Sequence, residues 1–353
     1  MAITVDHDKA CKILADCWEK REHVNDEIGK TISRVIGGDH LTYRYILVNA
    51  LLAKAANVSI NALSLQAKAP IEGSYDARSL CHKVLVPFDK QKMSSGLGGS
   101  NEPFLNKPAR FEMLSRTNAV RNGKDRQTLE TLIGLLPRVK DSDEAKKYLR
   151  SALFDVAELA ASKEQLYTFE RNGNDDLMSL LAFIAHLARD SKQGVIPVLI
   201  VTALEKILYA ENANISVQPH KVNQAGSSSK EIGDIDIYDD GQFVTAIEVK
   251  DKDFTDTDLK HAVDKSLAHG SRKFMFVYGP HANYDRKSIS ELIDEYAKKG
   301  VICILISLIG LSRLALFNIP HIDRDIFIET MMDVARDINC TTDVLEYIQR
   351  TIS

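Results

Sequence analysis

The stretch GDIDIYDDGQFVTAIEVKDK, residues 233–252, constrains the fold of this chain most. Ile235, Ile237, Val244, Ile247 and Val249 are β-branched and alternate with polar residues, as a half-buried strand pair requires, and Asp240-Gly241 supplies a turn between them. The stretch reads as a β-hairpin. Glu248 and Lys250, two apart on its second strand, share a face, while Val249 points the other way into a core. Asp234 and Asp236 stand on the first strand. Carboxylates and an ammonium crowded on one sheet face repel or desolvate one another unless a divalent ion sits among the oxygens, and Mg²⁺ suits such a donor set.

Which acid faces Glu248 depends on parity. A two-residue turn at Asp240-Gly241 pairs position 236 with 245 and turns both Asp side chains away from Glu248. A three-residue loop, Asp239-Asp240-Gly241, restores a common face for Asp234, Asp236, Ala246 and Glu248. The chemistry therefore predicts an odd loop or a bulge. In a flat ladder Asp234 lies nearer to Glu248; strand twist or a bulge brings Asp236 in.

The hairpin resembles the PD-(D/E)xK nuclease signature, in which an Asp opens one strand and Glu-x-Lys lies on the next. The resemblance implies that Asp236 is the metal-binding Asp, Glu248 the second ligand and Lys250 the catalytic lysine. No Pro precedes either Asp, which leaves the choice between Asp234 and Asp236 open.

At 353 residues, 44% hydrophobic and 27% charged, the chain is long enough for two domains or one elaborated core. A net charge of −4 gives no global sign of a nucleic-acid binder, so any basic surface must be local. The five cysteines are odd in number, scattered and without a C-x-x-C pair, which indicates neither disulfides nor a zinc site and fits a reducing cytoplasm. The N-terminus lacks the basic and apolar regions of a signal peptide. The most apolar run, 301–319, contains Arg313 and ends at Pro320, so a buried strand plus loop is expected there, not a membrane span.

Residues 6–36 and 42–56 carry apolar positions at helical spacing and read as framework. From 71 to 126 the texture turns to Gly, Ser, Asn and Pro with interspersed Arg and Lys. Between 105 and 126, Lys107, Arg110, Arg116, Arg121, Lys124 and Arg126 face only Glu112 and Asp125, a local excess of four positive charges. Such an excess neutralises phosphates, and arginines can read guanine edges. The segment GLGGSNEP lacks the Gly-Lys-Ser/Thr of a phosphate loop, which argues against an NTPase.

The phrases YDARSLCHKVLVPF (75–88) and GGSNEPFLNKPARF (98–111) resemble the N-terminal half of the SacI-like family of type II restriction endonucleases. The resemblance implies sequence-specific cleavage of double-stranded DNA, with Mg²⁺, by a homodimer, at a GAGCTC-like palindrome, and a cognate DNA methyltransferase as cellular companion. It assigns no individual role to Arg78, Lys83, Asn101 or Arg110, which stand with Lys107, Arg116 and Arg121 of the basic cluster as DNA-contact candidates.

Further helices are expected at 126–136, 143–161 and 176–189, and the polar break DSKQG (190–194) marks a domain boundary. Residues 1–190 then form a helical DNA-recognition region and 191–353 a nuclease domain. In the latter, a helix at 196–210 carries Glu205, which is either a third metal ligand or a boundary residue paired with Lys206. Strands at 215–222, 273–278 and 301–307 alternate with helices at 255–269 and 287–299, and a flexible loop is expected at 226–230. Terminal helices at 325–338 and 342–348 cap the core or form a dimer face. The expected fold class is α/β: a helix-rich N-terminal region followed by a PD-(D/E)xK-type mixed β-sheet core flanked by helices. Asp236 and Glu248, helped by Asp234 and Glu205, would hold Mg²⁺, and Lys250 would orient the attacking water. The rival readings are a structure-selective repair or junction nuclease and a catalytically silent DNA-binding protein. No Gly-rich cofactor loop points to a methyltransferase.

Overall fold

The computed structural model describes residues 2–171, 173, 176–220 and 231–352; the loop expected at 226–230 lies outside them. The chain divides into two compact units, Met1–Gln165 and Leu166–Ser353. The boundary expected at 190 is thus corrected to 165. The reason is packing: Leu180, Phe183, Ile184 and Leu187 of the helix before DSKQG are buried in the second unit's core.

The first unit contains helices α1 (His7–Glu19), α2 (Glu27–Ile36), α3 (Leu41–Ala56), α4 (Ala77–Leu80), α5 (Val86–Lys92), α6 (Lys124–Leu135) and α7 (Ser142–Gln165). Asp6 and Asp26 cap the first two by accepting the amides of Lys9 and Gly29. α3 is apolar on nearly every side, so it becomes the central helix, with α1, α2 and α7 packed around it. The Gly-, Ser-, Asn- and Pro-rich segment 71–126 holds α4, α5 and, between them, a π-helical turn at Cys81–Leu85. Its Gly-rich loop wraps a buried carboxyl group. Asp89, fully buried, accepts the Tyr45 hydroxyl at 2.7 Å and the amides of Leu97 and Gly99 at 3.0 and 3.3 Å.

The second unit opens with α8 (Leu177–Leu187) and α9 (Val195–Leu208) and then builds one five-stranded sheet. Strands β1 (Ile215–Pro219), β2 (Ile235–Asp239) and β3 (Gln242–Lys250) are antiparallel neighbours; β4 (Lys273–Tyr278) and β5 (Ile302–Ser307) continue from β3 in parallel. Helices α10 (Asp256–Ala268) and α11 (Arg286–Lys298) make the crossovers, and α12 (Leu308–Asn318), α13 (Arg324–Asp337) and α14 (Thr342–Ile352) follow. The period-2 pattern of the hairpin assigns the two faces. Ile235, Ile237, Ile247 and Val249 pack with α8, α9 and α12–α14. Ala246, Phe274 and Phe276 pack with Leu259 and Val263 of α10 and with Ile289 and Tyr296 of α11. The mixed sheet covered by helices is the architecture expected.

The apolar run 301–319 departs from expectation. Its second half is α12 rather than a loop, and its strand, β5, is an edge strand with Ile302 and Ile304 exposed. Alternation within six residues cannot distinguish an edge from a central strand, because that depends on partners far along the chain. Among the described residues no helix is long and apolar enough to cross a membrane.

Candidate active site

The hairpin reconciles a two-residue turn with the parity its chemistry needs. Asp240 and Gly241 both have positive φ, 46° and 75°, as a type I′ turn requires. Near the turn Asp239 pairs with Gln242 and Tyr238 with Phe243, but beyond it Ile237 pairs with Thr245 and Asp236 with Ala246. One extra residue in β3, Val244, therefore forms the expected bulge. The shift carries Asp234, Asp236, Ala246 and Glu248 onto the sheet face covered by α10.

From there the two aspartates part. Asp234 lies across from Glu248, and its Oδ2 accepts the Val249 amide at 2.9 Å. Lys250 Nζ is 3.6 Å from Glu248 Oε1, with the two side chains 23% and 22% exposed. Asp234, Glu248 and Lys250 line one cavity of about 340 Å³ at the carboxyl end of β3, closed on another side by Ser191, Gln193 and Gly194 at the start of α9. Crevices at the carboxyl ends of parallel strands are where α/β sheets bind ligands. Asp236 does not line it. Its side chain is fully buried, and its oxygens accept the amides of Ile232 and Gly233 at 3.0 and 2.8 Å and pair with His220 Nε2 at 2.7 Å. It ties the entrance of β2 to the end of β1.

Glu205, expected as a third ligand, is not brought to the cavity. It sits at the far end of α9, eleven residues beyond Gly194, about 16 Å along a helix rising 1.5 Å per residue. Lys206 does not pair with it either, but bonds Asp337 at 2.9 Å. Burial alone pushes the Glu205 carboxyl up to about 7.

The cavity acids are strained electrostatically. Burial raises the Glu248 carboxyl, Asp234 raises it further, and Lys250 and Lys265 of α10 oppose this without cancelling it. Asp234 is raised too, by burial above all, against the pull of the Val249 amide and then Lys250. Two half-buried carboxylates whose charges disfavour each other gain from a cation placed between them. Among the described residues no three Asp, Glu, His or Cys side chains converge to hold a metal ion. Mg²⁺ binds through one or two carboxylates, with waters and substrate phosphate completing its shell. The donor set fits a hard divalent cation.

These shifts set a pH dependence. A carboxyl raised in the folded state stabilises the fold below its unfolded value and loses that contribution as pH rises through the folded value. Without metal, thermal stability is expected to fall between pH 4.5 and about 7, the window set by Glu205. Glu205→Gln should remove about 3 kcal/mol of that loss, read by calorimetry across pH. Added Mg²⁺ should reverse the Asp234–Glu248 share and leave the Glu205 share untouched. A flat stability profile would overturn both assignments.

The DNA-contact candidates all lie in the first unit and are exposed. Arg78 pairs with Glu102 at 3.3 Å, Lys90 bonds Asn101, and Lys107 lies over the Phe111 ring. Lys83, Arg110, Arg116 and Arg121 also present their side chains to solvent. Sequence reasoning missed Lys265, whose direction is set by how α10 lies on the sheet, and the cavity wall at residues 191–194, read only as a domain break.

Two family models match the chain. The SacI restriction endonuclease N-terminal domain covers residues 9–160, and the SacI restriction endonuclease C-terminal domain covers residues 174–280. No curated protein gives a significant match. The first match falls within one compact unit and the second within the other, and the second contains the whole hairpin with its acid–lysine cavity. The chain belongs to the SacI restriction endonuclease family, and is thus a nuclease of the restriction type whose substrate is DNA.

Proposed function

We propose that this chain is a type II site-specific deoxyribonuclease that hydrolyses phosphodiester bonds in both strands of DNA with Mg²⁺, as a homodimer. The observation that carries the reading is the convergence of Asp234, Glu248 and Lys250 in one cavity at the carboxyl end of β3. Asp234 and Glu248 would hold the ion, which when bound supplies charge neutralisation at the scissile phosphate and acidifies a water. Lys250, with its ammonium beside Glu248, orients the attacking water and stabilises negative charge on the phosphate oxygens. Water oxygen gives up a proton to solvent as it adds to phosphorus, one bond from phosphorus to sugar oxygen breaks, and the departing oxygen takes a proton from a solvent water. The exposed basic residues of the first unit, Arg78, Lys83, Lys107, Arg110, Arg116 and Arg121, together with Asn101, supply phosphate contacts and base reading. A cytoplasmic location and a companion methyltransferase protecting host sites complete the reading.

The test is incubation with unmodified bacteriophage DNA, with and without Mg²⁺, resolved on a gel. Discrete Mg²⁺-dependent fragments are expected, and sequencing their ends gives the site. A smear would favour a structure- or end-directed nuclease, and intact DNA under all conditions a binding protein.

A further inference from the structure

Directly after Lys250 the chain repeats one device with different side chains. Asp251 accepts both the main-chain amide of His281, at 2.9 Å, and lies 2.8 Å from its ring Nδ1. Asp253 accepts both the amide and the side-chain amide of Asn283, at 3.1 and 2.9 Å. Each aspartate clamps the segment after β4 to the segment after β3, and the Phe254 amide bonding Asn283 O at 3.1 Å completes the seam. At the second rung an Asn performs the whole task. At the first rung the chain carries a His, which makes the same two bonds and adds a second ring nitrogen.

That rung borders the cavity. Asp251 lines it beside Glu248 and Lys250, with its side chain fully buried, while His281 is about half exposed. The fit is close: the Gly279 amide bonds Lys250 O at 2.9 Å, and a Cβ at Gly279 would stand 2.1 Å from Asp251 Oδ1, so only glycine leaves room for the carboxylate. Asp190 precedes the wall residue Ser191, and its carboxyl is held low by Lys192 first, with the His281 ring contributing. The ring, bonded to Asp251, is thus held beside the cavity lining. With Nδ1 committed to Asp251, Nε2 faces outward and has no partner among the described residues.

We propose that His281, oriented by Asp251, is a substrate-contacting residue that donates from Nε2 to a DNA backbone phosphate next to the one held at Glu248 and Lys250. The inference rests on the nuclease reading above and adds a contact to it. A donor held in place by a buried carboxylate, beside a cavity lined by Lys250 and Lys252, sets the register of the strand. The contact exists before and during the reaction, so it acts on KM more than on kcat.

The test compares His281→Asn with His281→Gln. The Asn variant reproduces the Asn283 arrangement and keeps the clamp but lacks Nε2; the Gln variant can place an amide near Nε2 while loosening the clamp. His281→Asn is expected to melt like the wild type, to raise KM for cleavage of phage DNA about tenfold at similar kcat, and to flatten the salt dependence of metal-free DNA binding by about one phosphate contact per protomer. Partial recovery of affinity in His281→Gln supports the Nε2 contact. An Asn variant with unchanged KM and salt slope overturns the inference while wild-type cleavage keeps the nuclease reading intact. A loss confined to kcat overturns it in favour of a proton-transfer role. Wild-type protein that cuts no DNA removes both.

Discussion

Lys250→Ala and Glu248→Ala are each expected to lower the rate of DNA cleavage by about 10³-fold, the scale of losing a positioned acid–base or electrostatic group. They should separate in binding. Lys250→Ala removes a cation facing phosphate and should weaken metal-free DNA affinity slightly, whereas Glu248→Ala removes an anion from the same 340 Å³ cavity and should strengthen it. Both folds should survive, because each side chain is about a fifth exposed and neither anchors the core. Single-turnover cleavage and filter binding on one DNA fragment check both. Full activity in either variant would remove the active-site assignment.

The second large effect divides the two aspartates of β2. Asp234→Asn is expected to lose cleavage by a similar factor, yet to melt no lower than the wild type without metal, since it relieves repulsion with Glu248. Asp236→Ala should instead cost about 3 kcal/mol, close to 10 °C for a unit of this size, because it orphans the Ile232 and Gly233 amides and the His220 ring. The motif resemblance gave the metal to Asp236. Its burial and its hydrogen bonds to Ile232, Gly233 and His220 keep it out of the cavity that Asp234 lines. A stable, inactive Asp236→Asn beside an active Asp234→Asn would return the metal to Asp236.

Much of this was legible in the residues. The strands at 235–239, 242–250 and 273–278 follow from β-branched alternation, and their interleaving with helices implied a sheet covered on both sides. The face shared by Asp234 and Glu248 followed from the demand that the acids meet, which required an odd loop or a bulge, and the two-residue turn leaves the bulge. What was not legible depends on partners distant in sequence. Glu205 lies on the expected helix, but helix direction puts the other end at the cavity. The turn at residues 191–194 looked like punctuation between domains, because its role arises only when α9 packs against β1 and β3. The Asp251–His281 pair spans thirty residues, and nothing local in either segment announces the other. No pattern in β5 betrayed that, among the described residues, its outer edge has no neighbouring strand.

The bulge at Val244 absorbs one residue without disturbing the site. A β3 shorter by that residue would close on the same turn as a regular ladder, with Ile235 still opposite Ile247 and Asp234 still on the face of Glu248. Relatives that differ by one residue between the turn and Glu248 can therefore present the same acid pair, and alignments that treat such a gap as a broken motif would miss them.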